Sequence, residues 1–231
     1  MKTREYVVLF SLALIWGASF LFIKLAVLEV APVTLVAVRL FFSVLVLAGV
    51  ALAQPARIKG WRRVLGLSVA VALVNYLIPY LCFAWGETRI ASGTASILNA
   101  TTPLFTVLAA SRWPGPNREP LTVRRGAGAL VGFAGVSVLV GPSALSLRGE
   151  SSGVLVGMLV VLVAAIAYAF GALLSRGYAG AAPLVGPLGS QAVGLILIAP
   201  AALIWGIPSH VPSWRAIGAI VTLGALGTGV A

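Results

Sequence analysis

Aspartate is absent from this sequence, cysteine and histidine occur once each, and charged residues make up only 9% of its 231 positions. Each shortage removes a class of explanation. A single cysteine, Cys82, allows neither an intrachain disulfide nor a cysteine-rich metal or iron–sulfur centre. No HExxH occurs for zinc and no GxxxxGK[ST] for nucleotide phosphates. Gly17-Ala18-Ser19-Phe20 lacks the second glycine of a nucleophile elbow. His210, between Pro208 and Pro212, reads as a solvated loop side chain. No cofactor, metal or enzymatic reaction is indicated. A soluble domain carries about 25% charged residues, and so few charges could not cover a chain that is 60% hydrophobic.

What is present is apolar sequence in long blocks. A membrane-crossing helix needs about 20 consecutive apolar residues, and such runs recur at 6–28, 33–53, 64–85, 90–111, 125–141, 152–175, 183–206 and 215–231. The expectation is an all-α integral membrane protein with about eight transmembrane helices. Continuous rather than alternating runs argue against a β-barrel. Trp16, Phe20 and Phe22 stand where a signal peptidase would need small residues, so the first run reads as an uncleaved helix.

The net charge of +11 is dispersed between the apolar blocks, unlike the single stripe of a nucleic-acid binder. With the N-terminus inside, the cytoplasmic segments hold Lys2, Arg4, Arg57, Lys59, Arg62, Arg63, Arg112, Arg118, Arg124, Arg125 and Arg176, eleven in all. The outer segments hold three, Arg89, Arg148 and Arg215. That asymmetry predicts a cytoplasmic N-terminus.

Sliding the chain against itself by about 152 positions gives ordered matches. Ala31-Pro32 falls opposite Ala182-Pro183, Lys24 opposite Arg176, Trp16 opposite Tyr168, and Trp61-Arg62 opposite Trp214-Arg215. A five-helix unit repeated once places its copies in opposite orientations, the architecture of many secondary transporters with a mid-membrane site between repeats. The first repeat is expected at 1–145 and the second, reaching only three helices, at 150–231, as in an incomplete ten-helix protein.

Trp16-Gly17-Ala18-Ser19-Phe20, followed by Lys24, Pro32 and Arg39, resembles the opening of EamA-type members of the drug/metabolite transporter superfamily. The stretch from Thr88 to Phe105, TRIASGTASILNATTPLF, is similar to that family's fourth helix. The resemblance implies ten helices in two inverted repeats, and export or exchange of small metabolites. The sequence departs from the family pattern at Ser111–Glu119, which is more polar than usual, and in lacking the last two helices.

Several residues are candidates for a substrate site. Lys24 and Arg39 are cations within spans, costly unless they face protein or water; they either meet an anionic substrate group or snorkel to the outer headgroups beside Glu29. Asn75, Tyr76, Pro79 and Tyr80 put an amide, two rings and a potential kink on one stretch, as a cavity wall or as interhelical packing. Ser92, Ser96, Asn99 and Pro103 share a face that suits close helix approach or a polar opening, and Thr101-Thr102 can satisfy carbonyls freed by a kink. Gly128…Gly132 and Gly153…Gly157 read as packing faces. Gln191 is a polar residue in an apolar span, aligned by the repeat near Arg39. No span carries a central carboxylate, Glu87 sitting at the outer end of the third. That points away from a proton relay within these helices and toward facilitated or exchange transport, or toward coupling through helices not present here.

The expected function is a transporter of a small, amino-acid-like or drug-like metabolite working by alternating access. Its site would comprise Trp16, Ser19, Lys24, Arg39, Asn75, Tyr76, Tyr80, Ser96, Asn99, Tyr168 and Gln191. Its partners are the lipid bilayer and the small-molecule substrate, not nucleic acid; a homodimer is compatible with the sequence. The competing readings are a non-transporting membrane scaffold or inactive fragment and, further off, a membrane-embedded enzyme.

Overall fold

The computed structural model describes residues 3–114, 119–140 and 152–230, and every regular element among them is helical. In hydrocarbon each backbone N–H and C=O must be satisfied within the segment, which is why apolar runs become helices. They are α1 (Thr3–Val27), α2 (Pro32–Ala53), α3 (Leu65–Gly86), α4 (Ser92–Asn99), α5 (Thr102–Arg112), α6 (Val123–Val140), α7 (Ser152–Ser175), α8 (Val185–Trp205) and α9 (Trp214–Val230). Five of them, α1, α2, α3, α7 and α8, are long and apolar enough to cross a membrane alone. The chain is an all-α membrane protein.

Two expected spans are modified by proline. Pro103 has no N–H to offer Asn99 and its ring crowds that carbonyl, so the run from 90 to 111 breaks at Ala100-Thr101 into α4 and α5. The Thr101 hydroxyl donates to the Leu98 carbonyl at 2.6 Å, a local repair of the break. Pro79 withholds the bond due to Asn75 in the same way. There α3 stays continuous by widening into a π turn over Ala72–Leu77. A second π turn, Ala225–Val230, ends α9.

Packing follows residue size. α2 lies against α8, α9 and α3; α3 also packs on α7 and α8; α7 carries α4 and α5; α1 runs along α9 and α4; α6 rests on α4 and α5. Leu35, Leu40, Leu77, Phe83, Val161, Ala164, Ile198 and Leu223 form the core between them. Backbones come closest at glycines: a Cβ on Gly157 would sit 3.4 Å from the Gly86 carbonyl oxygen. Gly128 and Gly132, by contrast, have open space where a side chain would go. Phe10, Leu14, Leu203 and Trp205 point outward, onto the surface that lipid covers.

Polar fastenings mark the two ends of the bundle. At one end the Lys24 ammonium donates to the carbonyls of Glu87 at 2.6 Å and Ile90 at 2.9 Å, and the Thr34 hydroxyl donates to the Gly206 carbonyl. There too the Glu29 carboxylate accepts the N–H and hydroxyl of Ser213, each at 2.6 Å, while that hydroxyl caps α9 by accepting from the Ala216 N–H. Ser213 thereby holds the Glu29 carboxyl below its usual 4.5. At the other end the Leu184 N–H donates to the Arg57 carbonyl at 3.0 Å, and Glu119 pairs with Arg125 at 2.8 Å and Arg176 at 2.7 Å. α1, α2, α3, α4 with α5, α7 and α8 therefore each run the length of the bundle. α3 is bracketed by two Trp–Arg stacks, Arg62 over Trp61 at 5.6 Å and Arg89 over Trp85 at 3.4 Å.

Candidate functional site

Where α1, α2, α3, α5, α7 and α9 converge they leave a cavity of about 460 Å³. α1 contributes Trp16, Ser19, Phe20 and Ile23; α2 contributes Arg39; α3 contributes Asn75, Tyr76, Tyr80 and Phe83. The break between α4 and α5 presents Asn99 and Thr102, α7 presents Tyr168 and Ala172, and the end of α9 presents Gly227 and Thr228. Both π turns thus reach the cavity, the first through Asn75 and Tyr76, the second through Thr228.

The rings form a wall of two groups. Phe20 meets Phe83 edge-on at 5.5 Å, Phe83 meets Tyr168 at 5.9 Å, and Tyr76 meets Tyr80 edge-on at 5.8 Å. Arg39 crosses this wall, 6% exposed, with its guanidinium carbon 3.7 Å from the centre of the Tyr80 ring. Its Nε donates to the Thr228 hydroxyl at 2.9 Å, which donates onward to the Leu223 carbonyl at 3.0 Å. Among the described residues no carboxylate lines the cavity. A cation removed from water at this cost needs an opposite charge or strong dipoles nearby, and here it has one hydroxyl and one ring.

Of the residues expected from the sequence, Trp16, Ser19, Arg39, Asn75, Tyr76, Tyr80, Asn99 and Tyr168 are brought together here. Three are placed elsewhere. Lys24 turns toward the end of the bundle and is occupied by the Glu87 and Ile90 carbonyls. Ser96 donates to the Gly93 carbonyl of its own helix at 2.8 Å. Gln191, 2% exposed, lies behind the wall, bonded to Ser43 and to Tyr76. Phe20, Ile23, Phe83, Thr102, Ala172, Gly227 and Thr228 join the lining without having been singled out. Phe20 and Thr102 stand out for other reasons, the family's opening motif and the Pro103 kink, and Thr228 has a signal of its own, since it lies 153 positions after Asn75, the offset that aligns Trp61 with Trp214.

A second cavity of about 260 Å³ lies toward the arginine-rich end, with Tyr178, Ser175 and Ser190 in its lining. Tyr178 bonds to Ser68 at 3.1 Å and Ser190 at 2.8 Å. Tyr76 borders both cavities and stands between them. No group of three His, Cys, Asp or Glu side chains that could hold a metal occurs among the described residues.

The apolar bundle encloses a ring-lined cavity, and the sequence profile of the EamA-like transporter family matches residues 3–141. The chain belongs to this family. Among curated EamA relatives, an "Uncharacterized transporter" of Archaeoglobus fulgidus is 27% identical over 179 residues, covering 75% of this chain and 59% of that protein. The "Uncharacterized inner membrane transporter YedA" of Escherichia coli is 26% identical over 191 residues, covering 82% of this chain and 59% of that protein. The chain thus spans 59% of the length of these relatives. A crystal structure with 23% sequence identity superposes on all of the chain and 77% of its own, with a TM-score of 0.72, and so shares the fold. This EamA protein is a multi-pass membrane protein of a transporter family.

Proposed function

We propose that this EamA protein moves a small organic anion across the inner membrane by alternating access, with the central cavity as its binding site and without covalent chemistry. The observation that carries the reading is Arg39, a buried cation that lines the cavity where, among the described residues, no carboxylate answers it. A carboxylate, sulfonate or phosphate would complete that pairing by charge-assisted hydrogen bonds. The ring wall would take the apolar part of the same molecule.

The repeat read from the sequence supports alternating access. Trp16 and Tyr168, 152 positions apart, both line the cavity, as do Asn75 and Thr228, 153 apart. Helix contacts follow the same exchange: α2 packs on α8, while the α3–α7 contact is matched by α9–α1 and the α3–α8 contact by α9–α2. Inverted halves related in this way can open to either side by mirrored movements. The basic residues assign the arginine-rich end to the cytoplasm and the Lys24 end to the outside.

Counterflow in vesicles carrying the purified protein tests this, using labelled carboxylates, sulfonates and phosphate esters beside neutral sugars and organic cations. Anions should exchange, and Arg39→Met should slow the exchange roughly 10- to 100-fold while Arg39→Lys retains more of it. Exchange confined to cations or neutral solutes would sink the proposal.

A further inference from the structure

Glu87 follows the last residue of α3 and is 0% exposed, and neither carboxylate oxygen has a hydrogen-bond partner among the described residues. Other acids of the bundle are engaged, Glu29 by Ser213 and Glu119 by two arginines. A buried carboxylate left in this way is expensive as an anion and tolerable as a neutral acid. The groups around it define its options. From α1 comes Lys24, whose ammonium is spent on the backbone carbonyls of Glu87 and Ile90. The start of α4 offers no ionisable side chain, and α7 brings Gly157 and Val161 against Gly86. Arg89, in the same turn as Glu87, is occupied by the Trp85 ring and the Thr88 hydroxyl.

The position matters as much as the burial. The Glu87 N–H donates to the Phe83 carbonyl at 2.9 Å, so Glu87 lies one turn beyond a residue of the cavity wall. Lys24 directly follows Ile23, another wall residue. Together they form the tie that holds the outer end of α1 to the turn between α3 and α4.

We propose that Glu87 is a proton-binding site that couples transport to protons, its ionisation drawing Lys24 off the two carbonyls and loosening the outer closure of the cavity. This rests on the reading of the cavity as a transport site. When Glu87 gives its proton to water the carboxylate gains a negative charge, and the Lys24 ammonium moves from two neutral acceptors to one ionic partner. The tie between α1 and the α3–α4 turn is then broken. Reprotonation restores it. Burial pushes the Glu87 carboxyl up to about 8, with the Lys24 charge pulling the other way, so the exchange falls in the pH range found outside cells.

The first experiment needs no transport. Infrared difference spectra of the purified protein, titrated with base, should lose a protonated-carboxyl band with a midpoint near 8. The band should be missing in Glu87→Gln, and Lys24→Met should move the midpoint higher because the opposing positive charge is gone. Thermal stability gives a second reading. The folded state holds the Glu87 proton more tightly than the unfolded chain does, so the melting temperature should fall as pH rises from about 4.5 to about 8 and then level off. That slope should be flat in Glu87→Gln. Absence of any carboxyl band titrating well above the ordinary 4.5, or survival of that band in Glu87→Gln, overturns the proton site. If Glu87→Gln fails to fold, the direction of the midpoint shift in Lys24→Met decides, and an unmoved midpoint overturns the pairing. In vesicles, Glu87→Gln cannot ionise and holds the tie closed, so it should slow anion counterflow and remove its dependence on external pH, and a retained pH dependence overturns the coupling.

Discussion

The two π turns, Ala72–Leu77 in α3 and Ala225–Val230 in α9, are the same backbone device set 153 positions apart, yet they furnish the cavity with opposite things. The first carries bulk, Asn75 and Tyr76, and its neighbour yields: a Cβ on Gly171 of α7 would run into the Asn75 side chain. The second is slight, Thr228 between Gly227 and Gly229, and its neighbour advances. Arg39 and Phe42 of α2 press on Gly224, and Val46 presses on Gly229. Each neighbour thus answers the size of the turn it faces, and the chemistry presented to the cavity differs. Where the turn is small a guanidinium enters the cavity, and where it is large Gln191, 152 positions after Arg39, is walled off behind Tyr76. The charge of the site is decided by which turn carries the large side chains.

The most drastic way to break this contrast is to put bulk on the yielding side. Gly171→Leu and Gly224→Leu should each cost about 3 kcal/mol or more through overpacking, read as loss of monodisperse protein and a lower melting temperature. Gly128→Leu, facing open space, should stay within about 0.5 kcal/mol of the parent. Next in size is removal of the charge. Arg39→Met should lower anion transport by roughly 10- to 100-fold, the worth of a charge-assisted hydrogen bond, measured as initial counterflow rate. Thr228→Val sharpens the comparison by removing only the hydroxyl that orients the guanidinium, and should weaken substrate affinity about fivefold, from a hydrogen bond worth about 1 kcal/mol. The smallest effect belongs to the clamp at the head of α9. Ser213 holds the Glu29 carboxyl below its usual value, so its contribution is present at neutral pH and lost as pH falls through the folded-state value. Glu29→Gln should therefore lower the melting temperature slightly at pH 7 and leave it unchanged in strong acid.

The all-helical class and the order of the apolar segments were legible in the sequence because hydrocarbon enforces one rule, a long apolar run folded on its own hydrogen bonds. The division of the 90–111 run into two helices was not. Nor were the π turns. Pro79 and Pro103 each withhold an N–H from the residue four positions back, and only the surrounding packing decided that one helix would widen and the other would break. Cavity residues that were polar or aromatic within a span, such as Asn75 and Tyr168, stood out by type. Ile23, Ala172 and Gly227 did not, since small and aliphatic residues occur everywhere in such a chain. Lys24 and Gln191 had the right chemistry but the wrong facing: one residue of rotation separates Ile23 in the cavity wall from Lys24 at the bundle end. Glu87 was visible as an acid at the end of a span, but its lack of partners is a property of its neighbours and not of its own segment.

The Trp–Arg stacks at the ends of α3 have a consequence for how the molecule floats. Indole rings favour the headgroup layer and guanidinium groups reach for phosphate, so Trp61 with Arg62 and Trp85 with Arg89 act as two waterlines on one helix. About 24 residues at 1.5 Å each separate them by roughly 36 Å, slightly more than the hydrocarbon thickness of about 30 Å. The π turn that shapes the cavity lies near the midpoint of that span. A thinner or thicker bilayer therefore bears on the molecule along α3, and lipid composition becomes a mechanical input to the same residues that line the central cavity.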